Sequence, residues 1–593
     1  MLWTDKNAPR IWRSGCAGTG DDEALSDAAG CTDEVLARIA DEGFTGVWLF
    51  CRLHDLMAST VFPELNQPRA DERVAGIQAV VDRAARHGLG VYLYFNDPVG
   101  LDVDHPFWIT HPDLKGVTKW HCYSLCTSTP EVQAFFRDAV ASVLRRLPGA
   151  AGVILITACE SLTHCWSKSN TRRGAPPPTC PRCVNREPAD IVLELLEGWA
   201  DARRRHAPST RIIAWNWEWA YWYADPQAEI IGRLPAGVEL MLDLEIGGTR
   251  QWLGRPNYIG EYSLSYVGPG QRFLASRALA ASKGIPTHAK IQINSSHELC
   301  TVPNLPVLAN LHGKLVALAE HGIAGFLGTW TIGCDLTLNT FAVKLFLRDP
   351  HRFADRQAFL DELAREYFGA AETDRVVRAW TQFGEAFSCY PFSVQMLYRG
   401  PHNDAPARRL SLHYEGTPVG RSFAPDPPGD DLSPCLHAAG VDQEAFTLYD
   451  VIEAYGRMCS AWDAALTDYE AGLAAPAPGT PEQVRHRAEE LRCAQMLSVQ
   501  FRSTLNVFRF YREQQRVMRE RGLTAPCDLP RDPALLAVMS EEQANAERAL
   551  PLVEADRRLG FHQEYQGYKY DAAMIREKLA RMASELHCRI DRR

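Results

Sequence analysis

Through the first 345 residues, runs of consecutive apolar residues alternate with stretches in which apolar residues return every three or four positions. The runs have the character of strands buried on both faces and the stretches that of amphipathic helices, so the alternation predicts a parallel sheet covered by helices. Eight strands are expected: Ile11–Ala17, Gly43–Phe50, Gly88–Phe95, Gly152–Thr157, Arg211–Trp215, Val238–Asp243, Pro286–Ile293 and Gly322–Trp330. The first is placed because the other seven need an eighth to close. Between them, Asp71–His87 sets Val74, Ile77, Val80, Val81 and Ala84 on one face and ends in His87-Gly88 just before the next strand. Pro130–Leu147, Asp190–His206 and Leu305–His321 repeat that design.

This pattern reads as an α/β chain, a (β/α)8 TIM barrel. A doubly wound nucleotide-binding sheet alternates in the same way, but no Gly-x-Gly-x-x-Gly follows the first strand and no Gly-x-x-x-x-Gly-Lys-Ser/Thr occurs. No organic cofactor is therefore implied. After residue 345 the notable segments are helical: Phe446–Ala471, Pro481–Arg521, Ser540–Arg557 and Tyr570–Leu586. We expect a catalytic barrel over 1–345 and a mostly α-helical C-terminal domain over 346–593, with the Pro-, Gly- and Asp-rich stretch 400–440 as an irregular surface excursion.

Composition narrows the partners. At 593 residues the chain exceeds what one hydrophobic core supports, in keeping with two domains. Lys plus Arg total 63 against 73 Asp plus Glu, with no long basic run, which argues against nucleic acid and anionic membranes. No apolar run approaches ~18 residues. The start, Met1-Leu-Trp-Thr-Asp-Lys-Asn, lacks a basic region followed by an apolar stretch, so a cytoplasmic protein is expected, with homo-oligomerisation left open. Seventeen cysteines, an odd number spread from Cys16 to Cys588, fit reduced thiols better than a disulfide framework.

A barrel of this class carries its catalytic groups at the carboxyl ends of its strands. Those ends read Arg52 and His54; Asn96 and Asp97; Cys159 and Glu160; Asn216, Trp217 and Glu218; Asp243 and Glu245; Gln292, Asn294 and Glu298; and Trp330. Trp215, Trp217, Trp219, Tyr221, Trp222 and Tyr223 crowd one of them. Carboxylates for proton transfer and flat rings for stacking on pyranose faces are what a sugar substrate demands. Glu160 is the expected general acid, since it follows an apolar strand directly, provided burial or a neighbouring carboxylate raises its pKa. The second carboxylate is expected among Glu298, Asp243 and Glu245. Substrate contacts are expected from Arg52, His54, Asn96, Asp97, Asn216, Trp217, Glu218, Tyr262, Gln292, Asn294 and Trp330.

Cys165, Cys180 and Cys183 lie in the loop after the fourth strand, the last two with the Cys180-Pro-Arg-Cys183 spacing that suits one tetrahedral zinc. Cys159 is the expected fourth ligand, with His164, Cys122 and Cys126 as alternatives near the same edge. The zinc is expected to be structural, because Arg172-Arg-Gly-Ala-Pro-Pro-Pro178 has too little apolar content to fold by itself. A zinc hydrolase would instead need His and Asp ligands and an open position.

Three stretches carry a resemblance to known enzymes: Glu261-Tyr-Ser-Leu-Ser-Tyr-Val-Gly-Pro269; Ala289-Lys-Ile-Gln-Ile-Asn294 with Glu298-Leu299 and Val302-Pro-Asn-Leu-Pro306; and Gly328-Thr-Trp-Thr-Ile-Gly333. They resemble segments of bacterial (β/α)8 glycoside hydrolases related to the family 20, 84 and 163 hexosaminidase-type enzymes, and Cys180-Pro-Arg-Cys183 before a helix resembles the last of these. The resemblance covers the barrel. It implies a glycosidase acting on N-acetylhexosaminides; an acid on strand four (Glu160) with a nucleophile on strand seven (Glu298) is similar instead to the arrangement of the large retaining-glycosidase clan. Family 20 enzymes place an adjacent Asp-Glu pair after strand four, where the Asp steers the substrate's acetamido group; here the pair is Cys159-Glu160. Either Asp243 or Asp97 takes the orienting role, or the mechanism is a conventional two-carboxylate one. The alternative is a non-catalytic carbohydrate-binding protein on the same scaffold.

Overall fold

The structure is a computed structural model and describes residues 2–587 except 16–21, 26–29, 160, 170–176, 221–224, 370–372, 414–433, 437–445, 475–478 and 524–527. Eight parallel strands close into a barrel: β1 (Arg10–Trp12), β2 (Gly46–Phe50), β3 (Gly90–Phe95), β4 (Gly152–Ile156), β5 (Arg211–Trp215), β6 (Val238–Asp243), β7 (Thr287–Lys290) and β8 (Gly325–Leu327). Each pairs with its sequence neighbours, and β1 closes the ring on β8 through Arg10 opposite Phe326. The fold is thus a (β/α)8 barrel followed by an α-helical region, as the hydrophobic pattern predicts.

Arg211–Trp215 and Val238–Asp243 have the bounds expected, and the other six strands are shorter than their apolar runs. β1 ends at Trp12 rather than Ala17, which leaves Arg13 at the strand's carboxyl end instead of within it. The chain enters β8 through Gly322, whose φ of 61° belongs to the left-handed turn that closes the preceding helix. Inside the barrel, a β-carbon at Gly46 or Gly152 would stand 2.6 Å or 2.8 Å from the Tyr92 ring, so glycine at both positions makes room for that side chain. Helices Ala70–Arg86, Pro130–Arg146, Pro188–His206 and Leu308–Glu320 fall where the three-to-four-residue period puts them, within three residues at each end.

Two features have no counterpart in the sequence reading. After β3 the chain forms a three-stranded antiparallel sheet from Leu101–Asp102, Lys115–Lys119 and Cys122–Leu125. After β6, Gly248–Trp252 and Arg255–Ile259 form a hairpin whose two-residue turn holds Leu253 and Gly254 at φ 46° and 79°.

The chain divides into two compact units: residues 1–244, 269–291 and 317–330, which contain all eight barrel strands, and residues 245–268, 292–316 and 331–593. The second unit is built on helices Thr373–Phe387, Leu448–Ala474, Pro481–Glu520, Pro533–Ala555 and Ala572–His587. Phe383 stacks on Trp462 at 4.1 Å, and the Trp462 indole donates to the Ala494 carbonyl at 3.1 Å. A capping box between Thr480 and Gln483 starts the Pro481–Glu520 helix. The Pro533–Ala555 helix begins seven residues before Ser540 because Asp532 caps it and Pro533 takes its first turn. Glu542 and Lys578 pair in full burial, with Ser503 and Asn506 also donating to the carboxylate at 2.7 and 2.9 Å. Most of the stretch expected as an irregular excursion over 400–440 lies outside the described residues. Among the described residues, no helix is long and apolar enough to cross a membrane.

Candidate active site and metal centre

The carboxyl end of the barrel is lined by rings. Trp48 of β2 stacks on Trp330 at 4.5 Å, Tyr94 of β3 meets Trp330 edge-on at 4.9 Å, and Trp215 of β5 meets it edge-on at 5.2 Å. Trp48, Tyr94 and Trp215 are buried, whereas Trp330 and Trp217 are half-buried and offer part of their surface. Trp217 leans on Trp215 at 5.7 Å, and the Trp215 indole N–H donates to Asp243 Oδ1 at 2.9 Å. A buried carboxylate is thereby oriented by an indole donor beside an aromatic surface. Lys290, on the neighbouring β7, is buried as well and donates to the Ile291 carbonyl at 2.6 Å.

Arg13 and Glu23 escaped the sequence reading. The Arg13 guanidinium lies 4.2 Å from the Trp48 ring centre and pairs with Glu23 at 2.5 Å, and Glu23 also accepts from the Phe50 amide at 3.0 Å. The pair joins the ends of β1 and β2. Its only signal in the sequence is an arginine directly after a short apolar run, which a longer first strand conceals.

At the end of β3, Asp97 is buried and the lost hydration raises its pKa to about 7, against pulls from the Leu53 amide and the Arg52 charge. Asn96 beside it donates to Ser161 Oγ at 3.2 Å and contacts Cys159 Sγ at 3.8 Å. Those two residues flank Glu160 in the chain, and Glu160 itself lies outside the described residues, as do Tyr221, Trp222 and Tyr223. Arg52 is exposed; His54 is largely enclosed, and desolvation lowers its pKa.

The β5 loop is braced by Arg272, which donates to the carbonyls of Asn216 and Trp217 and to Gln227 Oε1, while Asn216 donates to the same Gln227 oxygen at 2.8 Å. Trp219 donates from its indole to Thr157 Oγ1 at 3.0 Å and ties this loop to the end of β4. Glu218 is buried.

The remaining expected site residues belong to the second unit, where several have structural partners. Glu298 is fully buried and accepts from Ser263 Oγ at 2.8 Å, the Leu264 amide at 2.5 Å, the Ser265 amide at 3.2 Å, the Ser265 hydroxyl, and Ser296 Oγ at 2.8 Å. With roughly four lone-pair sites on a carboxylate, these donors fill its capacity. Glu245 pairs with Lys314, both fully enclosed, and Lys314 also donates to the Ser263 carbonyl at 2.6 Å. Asn294 donates to the carbonyls of Gly333 and Asp335 at 2.9 and 2.6 Å and accepts from Thr337 Oγ1 at 2.7 Å. Tyr262 lies parallel to the His297 ring at 6.3 Å, and Gln292 is fully buried.

The cysteine cluster needs one correction. Cys126, Cys165, Cys180 and Cys183 are all buried, with their sulfurs within 4.8 Å of one another, so the four can hold a metal ion. Cys126 takes the fourth place rather than Cys159, because the small sheet after β3 delivers it there from the end of Cys122–Leu125. The Cys159 thiol points toward the Ser161 carbonyl at 3.8 Å. Cys122 turns to Asp102 at 3.3 Å, and His164 bonds the Thr157 carbonyl at 2.7 Å, its pKa lowered to about 4 by burial.

No family model matches the chain, and no curated protein matches it. Among solved structures, a GH138 enzyme targeting the pectin rhamnogalacturonan II matches with a TM-score of 0.54 at 11% identity, over 98% of this chain and 67% of that one. A Bacteroidetes-affiliated GH5 cellulase linked with a polysaccharide utilization locus matches at 0.36 and 11%, over 60% of this chain and 95% of its own. A broad-specificity GH5-4 endoglucanase from an uncultured bacterium matches at 0.34 and 11%, over 55% and 87%. The first likeness bears on the fold; the two GH5 scores are too low to carry an argument.

Proposed function

We propose that the chain is a glycoside hydrolase that cleaves its substrate at the carboxyl end of the barrel by a two-carboxylate, retaining mechanism. The observation that supports this most is the Asp243 carboxylate, held by the Trp215 indole at 2.9 Å next to the aromatic surface that ends in half-buried Trp217 and Trp330. A sugar ring stacked on those tryptophans brings its anomeric carbon to a carboxylate, the pairing that glycosidic cleavage requires. The barrel it shares with the GH138 enzyme adds an analogy of fold.

In this reading Glu160 protonates the departing oxygen, and Asn96, bonded to the residues on either side of it, steadies its loop. Asp243 attacks the anomeric carbon, forming a glycosyl ester, and water then cleaves that ester with Glu160 acting as base. Asp243 is preferred because it ends β6 and is held by Trp215 of the aromatic surface, whereas serine and amide donors fill the Glu298 carboxylate and Glu245 pairs with Lys314. The four-thiol cluster stands outside the reaction, since four sulfur ligands fill a tetrahedral ion and leave no position for water or substrate. Substrates to screen are nitrophenyl β-N-acetylhexosaminides, galactosides and glucuronides, together with rhamnogalacturonan fragments.

The test is turnover by the wild type, Glu160→Gln and Asp243→Asn, with azide added to each variant. Rescue of both variants, giving glycosyl azides of opposite anomeric configuration, supports the assignment. Wild-type binding of the sugars with no turnover of any would replace it with the carbohydrate-binding alternative.

A further inference from the structure

We propose that Cys126, Cys165, Cys180 and Cys183 bind one zinc ion, and that this ion fastens the loop after β4, which carries Glu160, to the small sheet of the β3 loop. The importance of that loop rests on the glycosidase reading; the metal site does not. Four sulfurs at about 2.3 Å from a tetrahedral ion stand about 3.8 Å from one another. Cys126 Sγ lies 3.7 Å from Cys180 Sγ and 3.6 Å from Cys183 Sγ. A disulfide would need about 2.05 Å. The sulfurs therefore stand at the spacing of a shared metal rather than of a bond between them.

The surroundings suit anionic sulfur. Arg182 donates from Nε to Cys126 Sγ at 3.1 Å and from Nη2 to the Lys115 carbonyl at 2.5 Å, so the residue between the paired cysteines reaches back to the sheet. The Ser128 hydroxyl lies 3.1 Å from Cys183 Sγ and is itself oriented by Arg186 at 2.8 Å. Ser124 Oγ stands 3.7 Å from Cys165 Sγ. Such outer partners hold thiolate ligands in place and offset their charge. Gly116 marks the closeness of the packing: a β-carbon there would fall 2.2 Å from Ser124 Oγ and 2.7 Å from Cys165 Sγ.

A set of four soft thiolates within 4.8 Å of one another selects zinc or iron, and a site closed on all four sides has a structural role. Binding exchanges the thiol protons for Zn²⁺, and those protons pass to solvent. Three ligands come from the loop after β4 and one from the sheet after β3, so the ion is a cross-link between two loops at the barrel mouth.

The experiment uses the full chain, expressed with zinc in the medium. Metal analysis should find one zinc per chain, with zinc content lost in Cys126→Ser and kept in Cys159→Ser. Hydrogen exchange should show peptides over 113–128 and 177–187 slow in the zinc form and fast after chelation. If Cys126→Ser does not fold, titrating wild-type protein with p-hydroxymercuribenzoate should release one zinc, read with a colorimetric chelator. Protein that turns over glycosides yet holds no zinc, holds iron instead, or loses zinc in Cys159→Ser overturns the proposal; zinc-loaded protein without turnover supports it and counts only against the glycosidase reading.

Discussion

Asp243, the last residue of β6, and Glu298, beyond the end of β7, are both buried acids, and their surroundings differ in kind. Asp243 accepts from the Trp215 indole in an aromatic setting. Glu298 is surrounded by three serines and two backbone amides that use its oxygens to join residues 263–265 to residue 296. A carboxylate so saturated can orient a loop but has no lone pair left for a substrate, whereas Asp243 stands beside the rings on which a sugar can stack. Position after a strand identifies candidates; the donors around each one separate chemistry from scaffolding.

The largest expected effect tests this contrast directly. Asp243→Asn and Glu160→Gln should each lower kcat by roughly 10²–10⁴-fold while the melting temperature moves little. Glu298→Gln should invert that pattern, since its amide NH₂ would face donors from Ser263 and Ser265. Glu298→Ala, which strands those donors in a buried site, should cost about 3–5 kcal/mol in urea unfolding while kcat of the folded fraction stays within a few-fold. A Glu298→Gln protein of normal stability and no activity would reverse the two roles.

Next in size is a pH effect at Asp97. Burial raises its folded pKa to about 7, far above the ordinary aspartate value near 3.9, so the folded state holds the proton more tightly than the unfolded one. The resulting stability is fully present below about pH 4 and is lost as pH rises through about 7. Asp97→Asn should remove that loss, so the variant gains roughly 2–4 kcal/mol relative to wild type between pH 4 and pH 8. Glu490, buried beside Asn304 and likewise raised to about 7, adds a loss of the same sign that persists in the variant, so the comparison is the difference between the two proteins. A difference that stays flat with pH would show that Asp97 is ionised throughout.

The barrel was legible because its strands are runs such as Gly152–Ile156, buried at every position, and because helices such as Pro130–Arg146 begin and end on plain signals. The small sheet after β3 was not, since Lys115–Lys119 reads Lys-Gly-Val-Thr-Lys, with one large apolar residue and so no apolar period. That omission explains the wrong fourth cysteine: Cys159 is nearer in sequence, but antiparallel pairing carries Cys126 across 57 residues to Cys183. Glu298 illustrates the same limit. Its partners Ser263 and Ser265 stand in the Glu261–Pro269 stretch, yet nothing in spacing alone says that a glutamate beyond strand seven turns toward them.

The smallest expected effect concerns the rings. If Trp217 and Trp330 stack on sugar, removing either should cost about 1 kcal/mol of binding, near fivefold in KM, with kcat less affected. The two tryptophans are not equivalent in the fold. Trp330 also stacks on Trp48 at 4.5 Å and meets Tyr94 and Trp215 edge-on, so Trp330→Ala should lower the melting temperature as well as raise KM. Trp217 is half-buried and leans on Trp215 edge-on, so Trp217→Ala should raise KM with a smaller thermal penalty than Trp330→Ala. Trp330→Phe should recover much of the stability and part of the affinity, since a smaller ring still offers a flat face. Should all three variants leave KM unchanged, the aromatic surface is packing alone, and the case for sugar binding reduces to the carboxylates.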